Sequence, residues 1–138
     1  MNDGMTMQPE EIRLEIPGAA EFLRLARLAV ADLGARAGLR DEDIDDLRIA
    51  VDELCYAIGA GDEAARIVLL YRVAERRLEV EGRCERVTVV SPPSELAHAI
   101  IAAVVDRFDL MAECGVCSFR FVKWRQCVTE RSSELRSG

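Results

Sequence analysis

The order of periodicities along the chain predicts an α+β protein, a two-layer α/β sandwich with a mixed, mostly antiparallel sheet and three helices on one face. Three observations carry this. Ile12-Arg13-Leu14-Glu15-Ile16 alternates strictly between apolar and charged residues, as a half-buried strand does. Two stretches of helical period follow back to back, over residues 19–34 and 41–58. Two pairs of strand-like runs then flank a third, apolar helix, giving the order β-α-α-β-β-(β)-α-β-β. Helices and strands thus come in separate runs, unlike the regular alternation of a doubly wound sheet, and no glycine-rich phosphate loop follows the first strand.

Each element follows from its residues. Pro17-Gly18 ends the first strand. In the first helix Phe22, Leu25, Ala26, Ala29 and Leu33 form the apolar stripe, Glu21, Arg24, Arg27 and Asp32 lie off it, and Gly34 and Gly38 stop it. Asp41 is the expected N-cap of the second helix, with Glu42 and Asp43 in the first turn, where the helix dipole favours anions. Ile44, Leu47, Val51, Leu54, Cys55 and Ile58 give it the cleanest stripe in the chain, and Gly59-Ala60-Gly61-Asp62 terminates it. Ala65–Val73 and Arg77–Glu81 read as antiparallel strands, and Arg86–Val90 as a further short one. After the breaker Ser91-Pro92-Pro93-Ser94, a helix runs from Leu96 to about Arg107 with Leu96, Ile100, Ala103 and Val104 on one face. Phe108–Glu113 and Val116–Trp124 are strands around a turn at Cys114-Gly115. Residues 11–125 form the expected domain, between a flexible leader (1–10) and a polar tail (126–138).

A chain of 138 residues fits one domain of the usual size. Its 18 Lys+Arg against 25 Asp+Glu leave a net charge of −7, and only 5% of residues are aromatic. That composition offers neither the basic stripe nor the stacking platforms of a direct nucleic-acid binder. No apolar run reaches the roughly 18 residues needed to span a bilayer, and Met1–Glu10 lacks the basic start and apolar core of a signal peptide. Five cysteines, an odd number, read as free thiols in a reducing cytoplasm.

The second helix carries the main chemical signal. Ile49, Glu53 and Ala57, spaced i, i+4, i+8, share one helical face, and at about 100° per residue Glu53 points roughly 140° from the centre of the apolar stripe. A carboxylate beside Ile49, Ala50 and Ala57 lines a pocket, or else belongs with Asp46 and Asp52 to a solvated acidic face.

The segment LRIAVDELCYAI (Leu47–Ile58) resembles the N box of anti-sigma factors, serine-kinase-like proteins of the GHKL superfamily, which also contains gyrase, histidine kinase and mismatch-repair ATPases. The order of elements over residues 12–124 resembles that family's Bergerat fold. In the family the N box holds a Glu that acts as base and, four residues later, an Asn that holds the magnesium bridging the ATP phosphates. Glu53 falls on the Glu position, whereas the Asn position is Ala57, which has no oxygen for magnesium, and Tyr56 points about 100° away. The family's adenine-binding Asp falls on Gly82, and its following glycines on Arg83, Cys84 and Glu85. Glu81 alternates to the other side of the sheet. Its phosphate-binding Gly-x-Gly falls on Glu95-Leu96-Ala97, where Glu95 repels a phosphate. These departures imply that magnesium-ATP binding in the family's manner is weak or absent. The expectation is therefore no cofactor, ATP and magnesium being the pair the resemblance implies. Asp106, Gly115 and Lys123 match framework positions. Arg24 matches an Arg that the family exposes to the sigma factor and the anti-anti-sigma partner, and on helical geometry alone it reads as a solvated Arg.

Cys114-Gly115-Val116-Cys117 is a CxxC. A zinc site needs four ligands, with only Cys84, Cys127 and His98 to complete it, and no second CxxC or HxxxH exists. A thioredoxin-type pair would open a helix, whereas this one spans a hairpin turn, so no metal is expected and the strand thiols read as packed residues. His98 has no nucleophile at a recognisable spacing and supports no hydrolase. The resemblance implies an anti-sigma-factor-like transcription regulator binding a sigma factor and/or a STAS-domain anti-anti-sigma factor, with weakened or lost ATP binding. Its alternative is an active ATP-dependent protein serine kinase of the antagonist, with Glu53 as base. A third reading is a homodimeric module that self-associates through its sheet.

Overall fold

The computed structural model describes residues 10–85 and 94–126. Strand β1 (Glu10–Pro17) leads through a 3-10 turn (Ala20–Phe22) into α1 (Leu23–Arg36) and α2 (Asp41–Ile58). Then come β2 (Arg66–Ala74), β3 (Arg77–Glu85), α3 (Glu95–Val104), β4 (Arg107–Glu113) and β5 (Val116–Trp124). The five strands order as β1-β2-β3-β5-β4. Every pairing among the described residues is antiparallel, where a mixed, mostly antiparallel sheet was expected. The expected strand Arg86–Val90 lies outside the described residues.

Alternation along the strands divides the sheet into two faces. Ile67, Leu69 and Tyr71 of β2, Leu78, Val80 and Cys84 of β3, and Phe119 and Phe121 of β5 are buried. They pack with Leu23, Ala26 and Val30 of α1 and the whole predicted stripe of α2 in one core. The Tyr71 hydroxyl, deep in this layer, donates to the Ala26 carbonyl at 3.2 Å. The opposite face carries Arg13, Arg72, Glu79, Glu81 and Arg120, and no helix among the described residues covers it.

Several expectations need correction. The buried stripe of α1 is Leu23, Ala26, Val30, Leu33 and Gly34, while Leu25 is 41% exposed. The 3-10 turn advances about 120° per residue against about 100° in an α-helix, so a phase extrapolated through Phe22 slips. Gly34 does not stop α1, which runs on to Arg36. A Cβ at Gly34 would lie 3.0 Å from Leu47 Cδ1, so the glycine sets the close approach of α1 to α2. The N-cap of α2 is Arg40, not Asp41, and the Asp43 carboxylate accepts from the Arg40 backbone N–H at 3.0 Å. Strand β3 continues to Glu85, beyond the expected Glu81, because β5 pairs with it along its full length. Helix α3 ends at Val104, where Val105 turns extended. It turns Ala97, Ile100, Ile101 and Val104 inward, whereas Leu96 is 70% exposed and Ala103 is exposed. Its apolar sequence carries almost no phase information.

Candidate functional site

Helix α2 is pinned at both flanks. At its start, Lys123 of β5, 4% exposed, places Nζ 3.0 Å from Asp46 Oδ2 and 3.9 Å from Asp43 Oδ1 of the buried Asp43. Further along, Arg27 of α1 donates to Asp52 at 2.8 Å. One residue on, Glu53 is half-buried between Ile49, which is 42% exposed, and half-buried Ala57, over buried Ala50. The face therefore presents one carboxylate with no oxygen four residues later.

Gly82 lies on the helix side of β3, opposite Phe119 of β5. A Cβ there would run into the edge of the Phe119 ring, which stacks with Phe121 at 6.0 Å. Glu81 faces away, 3.0 Å from Arg72 and 3.6 Å from Arg120, as alternation predicts. Beside it Glu79, 7% exposed, accepts from Arg120 at 2.6 Å and Arg72 at 3.0 Å. The hydrogen bond to Glu81, reinforced by the charges of Glu79 and Glu11, raises the Arg72 pKa above its ordinary range.

At the start of α3 the Ser94 hydroxyl accepts from the Ala97 N–H at 3.0 Å. An N–H that the resemblance would assign to a phosphate is thus already bonded, with Glu95 beside it in the first turn. The framework residues act as expected: Asp106 accepts from the Trp124 N–H at 2.7 Å, and Gly115 adopts φ 78° in the β4–β5 turn.

Arg24 is exposed on α1. With Arg27, Leu28 and Arg48 it lines a groove of about 350 Å³ between α1 and α2, in which Leu28 is 64% exposed. Arg48 and Leu28 were not singled out from the sequence. Three arginines close together in an acidic chain were visible only once α1 was laid beside the middle of α2. A broader concavity of about 560 Å³, lined among others by Arg13, Glu81, Asp109 and Arg120, lies on the open sheet face, away from Glu53.

The CxxC straddles the β4–β5 turn, with Cys114 exposed at φ 51° and Cys117 buried. Among the described residues no three His, Cys, Asp or Glu side chains converge to hold a metal ion. His98 is exposed and meets Phe108 edge-on at 4.9 Å. No helix among the described residues is long and apolar enough to cross a membrane.

No family model matches the chain. The fold is of the expected α+β type, a five-stranded sheet with three helices. It superimposes over 83% of this chain, with a TM-score of 0.64 and 15% identity, on 32% of a solved chain described as the RsbU and RsbW domains of Rv1364c from Mycobacterium tuberculosis. In sequence the chain is similar to the serine-protein kinase RsbW of Halalkalibacterium halodurans, 36% identical over 75 residues that cover 53% of this chain and 46% of that protein. It is 32% identical over 74 residues to the RsbW of Bacillus thuringiensis, covering 51% and 46%. The matched region thus spans about half the length of these curated relatives.

Proposed function

We propose that residues 11–125 act in the cytoplasm as an anti-sigma-factor-like regulator that captures a sigma factor and/or a STAS-domain anti-anti-sigma factor, with magnesium-ATP binding weakened or lost. The observation that carries the nucleotide part of this reading is the Phe119 ring over Gly82, which leaves no room for an adenine-binding acid on β3. Ala57, and the Ser94 hydroxyl on the Ala97 N–H, point the same way. The residues present do not fit magnesium-ATP held in the family's manner. Partner capture is assigned to the α1–α2 groove, with Arg24 as the contact and Arg48 and Leu28 beside it.

A ligand that binds only the folded state must stabilise it. Millimolar magnesium-ATP is expected to leave the melting temperature unchanged, and a rise of several degrees would refute the loss of binding. Arg24→Glu is expected to abolish capture of a co-expressed sigma factor or STAS-domain protein with the fold intact, and unchanged capture would refute the groove. The second reading, an active serine kinase with Glu53 as base, is supported by the name of the relatives and by the half-buried Glu53 on its helical face. Transfer of labelled phosphate to a STAS-domain protein, lost in Glu53→Gln, would establish it in place of the first.

A further inference from the structure

Cys84 and Cys117 are register partners in the β3–β5 ladder, one rung in from its end at Glu85 and Val116. Both side chains lie on the helix face, next to the Gly82–Phe119 pair, and both are free thiols, 0% and 3% exposed. Directly opposed residues on antiparallel strands have Cα atoms about 4.5 or 5.5 Å apart. A disulfide spans about 4.4–6.8 Å between Cα atoms, a range that covers the spacing of such a pair. Burial, and then the charge that Cys117 would carry, raise the Cys84 pKa, and burial raises that of Cys117. Both thiols are therefore slow nucleophiles while covered. Their place at the end of the ladder supplies the access, because terminal rungs open locally at low cost. A third thiol, Cys55 of α2, lies in the same core and is also buried.

We propose that Cys84 and Cys117 are a redox modification site, forming a reversible cross-strand disulfide with a low-molecular-weight disulfide as oxidant. One thiolate attacks the sulfur–sulfur bond of oxidised glutathione and expels a glutathione thiolate. The other then attacks the mixed disulfide and expels the second. Two protein thiols and one oxidised glutathione become one protein disulfide and two reduced glutathiones, which take up the two protons and two electrons. The bond closes a loop holding α3 and β4 and staples β3 to β5 beside Gly82. It does not depend on whether the chain binds a nucleotide.

The test uses the full chain carrying Cys114→Ser and Cys127→Ser, so that Cys55, Cys84 and Cys117 are the thiols that remain. The protein is equilibrated with glutathione buffers of falling reduced-to-oxidised ratio, quenched in acid, alkylated and mapped by mass spectrometry. The expected result is loss of two free thiols and a Cys84–Cys117 linked peptide, reversed by dithiothreitol. It should outnumber links through Cys55 at least tenfold, a preference that disappears when oxidation is done in guanidinium chloride. Three free thiols in oxidised glutathione alone, mixed disulfides without an internal bond, or a dominant link through Cys55 would each overturn the proposal.

Discussion

Gly82 and Phe119 act as one packing unit, the ring filling the space that a side chain on β3 would take. Gly82→Ala is therefore expected to lower stability by about 1–3 kcal/mol in urea denaturation, the usual cost of overpacking a core. Phe119→Leu in the same chain should recover part of that loss, and strictly additive effects would show that the two do not touch. The buried thiols supply a second test. Burial, aided by the charges of Asp52 and Cys84, raises the Cys55 pKa, and burial likewise raises those of Cys84 and Cys117. Their stabilising contribution is complete below the ordinary thiol pKa of about 8.5 and declines as pH rises above it, where only the unfolded chain ionises. Unfolding free energy should thus fall between about pH 8.5 and 10, less steeply in Cys55→Ala, and equal slopes would contradict this. The position of Glu53 on its helix was legible from spacing alone. The ring over Gly82 was not, because that contact is fixed by the β3–β5 register, which no local pattern encodes.

The helices differ in how much of their packing their own sequence contains. All six residues read for the stripe of α2 are buried, because charged residues mark its other side clearly, although Ala50, read as lying beside Glu53, joins them in the core. The phase of α1 slipped at the preceding 3-10 turn, and that of α3 was unreadable in an almost uniformly apolar helix. Lys123 ties α2 to the last strand through Asp43 and Asp46, a link between elements far apart in the chain. Removing one partner of a buried ion pair strands the other. Lys123→Met should therefore cost about 3 kcal/mol in denaturant unfolding, whereas a change within a few tenths would mean that solvent already satisfies both carboxylates. At the start of α3, Ser94→Ala should cost about 1 kcal/mol in denaturant unfolding through the lost cap on the Ala97 N–H.

Across the whole molecule, the fold divides labour between two layers. The helix layer holds Glu53 and the arginine groove, and the far side of the sheet is a mat of alternating charges. On that mat Glu79, with its side chain 9% exposed, is sheltered between Arg72 and Arg120, while Glu15 pairs with Arg66 in the open. Salt screens exposed pairs far more than covered ones. The destabilisation caused by Glu15→Gln should accordingly vanish between about 0.1 M and about 1 M salt, and that caused by Glu79→Gln should persist. Parallel salt responses would show that the two carboxylates are equally solvated. The α+β class and the run of elements were readable because each period is local. The strand order, which moves β5 between β3 and β4, rests on pairings between distant segments.

The shared space at positions 82 and 119 also constrains how such a chain can change over generations. An acid cannot be accommodated at 82 while a phenyl ring fills its place, and shrinking the ring first leaves a void with nothing to fill it. Either single step loses stability before any ligand could repay it. Descendants are thus held where they are unless both codons alter together.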